Sequence, residues 1–178
     1  MGKIVAVEYV SLDGVMEEPA WSGPYFNEEL QHFQYENLFE SDALLLGRVT
    51  YEGFKSAWPA MSDEAGFADR MNGLPKYVAT TTLVEPEWNA SFIEGDVAQA
   101  AARLKSGDDT LLINGSAQLV NYLGCHGLID EYRLMIYPVL VGGGKHLFDQ
   151  SGRVGALTLK ASRSTESGVA ILTYVPAE

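Results

Sequence analysis

Cysteine is nearly absent: Cys125 stands alone in 178 residues, so no disulfide can close within the chain and no cysteine cage can hold a metal. A reducing cytoplasm is the expected home. Histidine is scarce too. His32, His126 and His146 are scattered without a His-Glu-x-x-His spacing, which excludes a zinc hydrolase of that kind, and no metal site is expected. Long apolar runs are missing. The longest, Leu134 to Val141, contains Pro138 and falls far short of the roughly 18 residues that span a bilayer. Ile4 to Val7 is too short for a signal-peptide core and meets Glu8 at once.

Positive charge is the other shortage. Twelve lysines and arginines face 24 acids, a net charge of −12. A broad basic face for nucleic acid or an anionic membrane is therefore excluded, and neither partner is expected. Any phosphate-bearing ligand must find a local cation or a nest of backbone amides.

What the chain does have is 47% hydrophobic residues, enough for one domain over residues 1–178 with a real core. Lys3 to Val10 reads as a strand ending in the turn Ser11-Leu12-Asp13-Gly14. Asn27 caps a predicted helix to about Glu40, and Asp42 to Leu46 is a short apolar run that stops at Gly47. A second helix is predicted from Arg48 to Ala57, closed by Trp58-Pro59, and a third starts at Ser62-Asp63-Glu64. Lys76 to Thr80 reads as a strand. Asp96 caps a helix through Lys105, Thr110 to Ile113 is a strand, and Ser116 to Leu123 a helix with Gly124 as its stop. The remainder is strand-like: Glu131 to Val139, then Ala156 to Thr165 and Val169 to Val175 joined by a turn. This alternation predicts an α/β fold, a mixed and mostly parallel sheet with helices on both faces and antiparallel strands at the C-terminal end. Such sheets bind ligands beyond the carboxyl ends of their strands.

Two segments repeat one device. In Leu44-Leu45-Leu46-Gly47-Arg48-Val49-Thr50 and in Leu111-Leu112-Ile113-Asn114-Gly115-Ser116-Ala117, an apolar strand turns through glycine straight into a helix. Each corner leaves amides aimed outward, a candidate anion site; the plainer reading is that glycine only eases the turn. Charge favours the first corner. Between Lys3 and Arg48 there is no lysine or arginine, while nine acids crowd that interval. Arg48 at a helix N-terminus gains nothing from the macrodipole, whereas a bound phosphate would engage both the guanidinium and the amides. Pairing with a nearby carboxylate is the alternative. Thr80-Thr81-Thr82 at a strand end offers hydroxyls for a second phosphate, although threonine is common at such turns. Gly142-Gly143-Gly144-Lys145-His146 lacks the spacing and the Ser or Thr of a P-loop and reads as a flexible turn. Ser116 lacks the flanking glycines of a nucleophile elbow, and no GxGxxG follows the first strand.

Taken in order, Ser11-Leu12-Asp13-Gly14-Val15, Leu45-Leu46-Gly47-Arg48-Val49-Thr50-Tyr51-Glu52, Lys76 to Leu83, Ile113-Asn114-Gly115-Ser116, and Leu128-Ile129-Asp130-Glu131-Tyr132 through Pro138 to Gly144 resemble the dihydrofolate reductase-like superfamily. The resemblance is closest to stand-alone relatives of the C-terminal reductase domain of the riboflavin-biosynthesis enzyme (RibD). It implies a three-layer α/β sandwich, NADPH as hydride donor and often a homodimer. On that resemblance Gly47, Arg48, Val49 and Thr50 form the cofactor-phosphate helix start, and Thr81 and Thr82 meet the adenosine 2′-phosphate. Asn114, Gly115, Ser116, Ala117 and Gln118 lie along the pyrophosphate and nicotinamide ribose, and Ala6 with Leu12 to Val15 borders the nicotinamide.

Two positions depart from the pattern. Gln31 falls at or near the place where dihydrofolate reductases carry the acid that protonates the pterin, and glutamine has no such proton. Asn114 stands where riboflavin reductases show a glutamate. The expectation is an NADPH-dependent oxidoreductase of a small pyrimidine- or pteridine-related heterocycle, 5-amino-6-(5-phosphoribosylamino)uracil reductase-like, with Gln31 and Trp58 at the substrate and Asp13 as the acid to test. True dihydrofolate reduction and a nucleotide-binding protein without turnover are the rivals.

Overall fold

The computed structural model describes residues 1–149 and 155–177. Strands β1 (Lys3–Ser11), β2 (Ala43–Gly47), β3 (Lys76–Ala79) and β4 (Ala90–Phe92) come first, followed by β5 (Thr110–Asn114), β6 (Glu131–Tyr137), β7 (Leu157–Ser164) and β8 (Ala170–Pro176). Helices α1 (Glu28–Phe39), α2 (Arg48–Ala57), α3 (Phe67–Gly73), α4 (Val97–Lys105) and α5 (Ala117–Cys125) connect them. The sheet order is β4-β3-β2-β5-β1-β6-β8-β7. Strands β4 to β6 of that order pair in parallel, and β8 and β7 add the antiparallel end.

Alternation along β1 builds two cores. Ile4, Ala6 and Val10 pack with Leu119, Val120 and Leu123 of α5 and Ala98 and Ala101 of α4. Val5 and Val7 face the other way, onto Leu30 and Phe33 of α1, Tyr51 of α2 and Met71 of α3. Because side chains alternate with period two, one strand serves both layers. The result is the three-layer arrangement expected from the sequence.

Local chemistry explains most boundaries. Asn27 Oδ1 accepts from the Leu30 amide and Asp96 Oδ1 from the Gln99 amide, satisfying orphan donors at the starts of α1 and α4. Three expectations shift. Helix α3 begins at Phe67, and Asp63 caps it from four and five residues away by accepting from the amides of Phe67 and Ala68. Ser116 lies outside α5 in the left-handed region, with φ 67°. Gly124 lies inside α5, where a Cβ would stand 2.8 Å from the Tyr132 hydroxyl; the stop is Gly127, at φ +65°. The three-residue β4 is too short to carry a readable pattern.

The two glycine corners touch each other. A Cβ on Gly47 would collide with the Ser116 side chain, and one on Gly115 would stand 3.1 Å from Thr50 Oγ1. Gly115 also sits at φ +75°, where a side chain is strained. This interlock yields a test. Gly47→Ala should destabilise the fold by about 1–3 kcal/mol through overpacking, and adding Ser116→Gly should recover most of the loss in urea unfolding. Additive losses in the double variant would show that the corners do not press on each other.

Candidate functional site

Both corners open onto one cleft of about 1880 Å³ beyond the carboxyl ends of β1, β2, β3 and β5. That is larger than the roughly 300–1,000 Å³ of a pocket for one drug-sized molecule. Gly47, Arg48, Val49 and Thr50 line it from the first corner, Thr81 and Thr82 from the end of β3, and Asn114, Gly115, Ser116, Ala117 and Gln118 from the second. Gln31 and Trp58 line it as well. Residues far apart in sequence are thus brought to one place.

Neither corner helix has a side-chain cap: α2 follows Gly47 and α5 follows Ser116, and neither residue bonds the first-turn amides. Those orphan donors face the cleft, with the positive ends of two helix dipoles behind them. Arg48 is 45% exposed and pairs with Glu52 one turn on, Nη1 to Oε2 2.7 Å. Only part of its donor fork is occupied by that pair. Thr80 Oγ1 accepts from the amides of Thr82 and Leu83, shaping the turn that presents Thr81 and Thr82.

The residues proposed to border the nicotinamide fall outside the cleft wall. Ala6 and Val15 are fully buried, and Leu12 is 65% exposed but off the cleft. Their neighbours Val7 and Met16 line it instead.

Asp13 does not line the cleft, and its carboxylate is a pin between loops. It accepts from Ser11 Oγ at 2.6 Å, Gly142 N at 2.8 Å and Val141 N at 3.1 Å. The Ser11 hydroxyl first, then the two amides, lower its carboxyl to about 2. Asp13 is therefore ionised near neutrality and has no proton to donate. The same contacts order the Gly142–His146 segment: Met16 N donates to Lys145 O, Leu147 N to Gly14 O, and Val15 bridges His146. The segment is a clasp on the first loop, not a free turn between strands.

Sequence reading passed over Glu8. It is 1% exposed, on the face of β1 shared by Ile4, Ala6 and Val10, and it touches the cleft beneath the second corner. Its Oε2 accepts from the Gly115 amide at 3.0 Å; among the described residues Oε1 has no partner. Burial raises the Glu8 carboxyl well above the ordinary range, with the Gly115 bond opposing. The signal was in the sequence: period two puts this one carboxylate on an otherwise apolar face. Tyr9 and Gln34 are a second such pair, Gln34 Nε2 donating to the Tyr9 hydroxyl at 2.8 Å at the cleft wall. No group of three or more His, Cys, Asp or Glu among the described residues is arranged to hold a metal, and no described helix is long and apolar enough to cross a membrane.

Residues 2–171 match the RibD C-terminal domain. The chain belongs to that family. This RibD C-terminal domain is 31% identical to the uncharacterized Bacillus subtilis (strain 168) protein YyaP over 143 residues, 77% of this chain and 75% of YyaP. Its fold is similar to the crystal structure of a Shewanella sp. PV-4 protein assigned to riboflavin biosynthesis, with TM-score 0.82 and 19% identity over 99% of each chain. It is also similar to dihydrofolate reductase of Enterococcus faecalis, solved with NADP(H), with TM-score 0.63 and 15% identity over 99% of this RibD C-terminal domain and 97% of that enzyme. The dihydrofolate reductase-like fold follows from these likenesses.

The buried carboxyl generates a prediction. A folded-state value raised above the unfolded 4.5 means that the native protein keeps a proton the unfolded chain releases. Stability is therefore complete below the unfolded value and lost as pH rises through the folded one. Glu8→Gln keeps an acceptor for Gly115 but cannot ionise. Urea unfolding should find the variant gaining on the parent as pH goes from 4 to 9; a gap that stays constant across that range would mean the carboxyl is not raised.

Proposed function

We propose that this protein is an NADPH-dependent reductase of a small heterocycle related to pyrimidines or pteridines. The observation that carries the reading is the pair of uncapped helix starts, Gly47-Arg48 and Ser116-Ala117, opening together onto one cleft. Amides, the free part of the Arg48 fork and the threonine hydroxyls suit the several phosphates of a dinucleotide, in a chain too acidic to hold them by net charge. Family membership and the fold shared with an enzyme solved with NADP(H) support the same reading.

Under this proposal Arg48, Val49 and Thr50 hold a phosphate against the start of α2, and Gly47 leaves room for the second corner. Thr81 and Thr82 receive the 2′-phosphate. Gly115, Ser116, Ala117 and Gln118 lie along the pyrophosphate and the nicotinamide ribose, with Val7, Met16 and the Asn114 end of β5 toward the ring. NADPH, when bound, supplies the hydride. The chain positions the two molecules and excludes water. Asp13 holds the loop that carries Met16, and Gln31 and Trp58 face the second molecule.

An ionised Asp13 favours the rival reading, nucleotide binding without turnover. Glu8 bears on that objection, since burial raises its carboxyl at the cleft and so favours the protonated form. NADPH oxidation in the presence of candidate pyrimidines and pteridines separates the two. Arg48→Ala should weaken NADPH binding about ten- to a hundredfold, the worth of one charge-assisted bond of roughly 1.5–3 kcal/mol, and should affect NADH less. Fluorescence titration of NADPH reads this directly. Unchanged affinity in a folded variant would remove the phosphate assignment at this corner.

A further inference from the structure

The cleft is chemically divided at the corners. On the β3 and α5 side the polar groups are backbone amides, hydroxyls, the Asn114 and Gln118 carboxamides and Arg48. On the other side, walled by β1, α1 and the end of α2, the aromatic rings include Phe26, Tyr35, Phe54, Trp58 and Phe67, the last two 5.4 Å apart between centroids. Flat aromatic walls favour a flat ring between them.

Acids outnumber cations on that second side. Glu28 and Asp63 line it, and Glu17 and Glu18 stand at its rim. His32 pairs with Glu36 at 3.1 Å, and Arg48 with Glu52. Lys145 lines the cleft as well, on a loop whose carbonyl accepts from Met16 N and whose amide donates to Glu17 Oε2. A phosphate entering here meets repulsion with no guanidinium fork to receive it, and a partly desolvated like-charge contact is costly.

Uncharged polar groups line this side too, among them Tyr9, Gln31 and Gln34. Gln34 donates to Tyr9 Oη, which leaves the phenolic hydrogen to donate elsewhere, and the Gln34 carboxamide oxygen remains an acceptor beside it. Burial raises the Tyr9 phenol further, so it stays a neutral donor. A donor next to an acceptor complements an edge with C=O next to N–H.

We infer that this half of the cleft takes an uncharged, flat, lactam-bearing heterocycle without a phosphate, held by the Tyr9–Gln34 pair between aromatic walls. The inference rests on the reductase reading for the role of the bound molecule but not for its charge. It sets this chain apart from the phosphoribosyl substrate that the resemblance of its sequence suggests.

Matched probes test it: 7,8-dihydroneopterin against its monophosphate, and riboflavin against its 5′-monophosphate. Binding to the full chain is measured by calorimetry with and without NADPH, and NADPH oxidation is followed alongside. The unphosphorylated member of each pair should bind at least tenfold more tightly at low salt. That ratio should shrink as ionic strength rises and on Glu28→Gln, while Tyr9→Phe should weaken both members and preserve the ratio. Equal or tighter binding of the phosphorylated members, or binding of neither member of either pair, would overturn the inference. Failure of NADPH to bind, with the preference intact, would instead remove the reductase reading and leave this one standing.

Discussion

Everything at the cleft depends on how closely two strand-to-helix corners approach. Strand β5 lies between β2 and β1, so its corner is pressed against that of β2. Ser116 occupies the space a side chain on Gly47 would need, and Thr50 crowds Gly115. The glycines are thus required first by each other. The same closeness puts two sets of unpaired amides side by side, and a surface made to accept negative charge results from a packing constraint. An easy turn and a ligand site are the alternatives at each glycine, and the contact between corners makes them compatible.

Electrostatics around this point are consistent with a chain of strong net acidity. Positive potential comes from backbone groups and one partly engaged arginine, while carboxylates are placed where they bond amides. Asp13 accepts from the amides of Val141 and Gly142, Asp63 from Phe67 and Ala68, and Glu8 from Gly115. The first two are solvent-accessible and stay ionised. Glu8 accepts a similar bond in a buried place, where a single amide cannot offset the loss of hydration. Burial, more than bonding, separates a carboxyl held below its usual range from one raised above it.

Features that act over three or four residues were legible in the sequence. The caps at Asn27 and Asp96, the glycine corners and the hairpin around Gly168 all follow from local chemistry. Features that depend on which strands become neighbours were not. The Asp13 carboxylate reads as a turn residue or an acid until residues more than a hundred positions away supply its donors. Glu8 was legible in principle, since alternation alone places it on the buried face. Its meaning came only from Gly115, 107 residues later in the chain.

The strand order has a consequence for how the molecule is made. β1 never pairs with β2; β5 stands between them, and β6 covers the other side of β1. A nascent chain that has reached residue 109 therefore carries a first strand with neither neighbour and a β2-β3-β4 sheet with an open edge. Contacts of such long sequence separation slow folding. The first two thirds of the chain must wait, with β1 uncovered, for five residues from Thr110 to Asn114 to close the middle of the sheet.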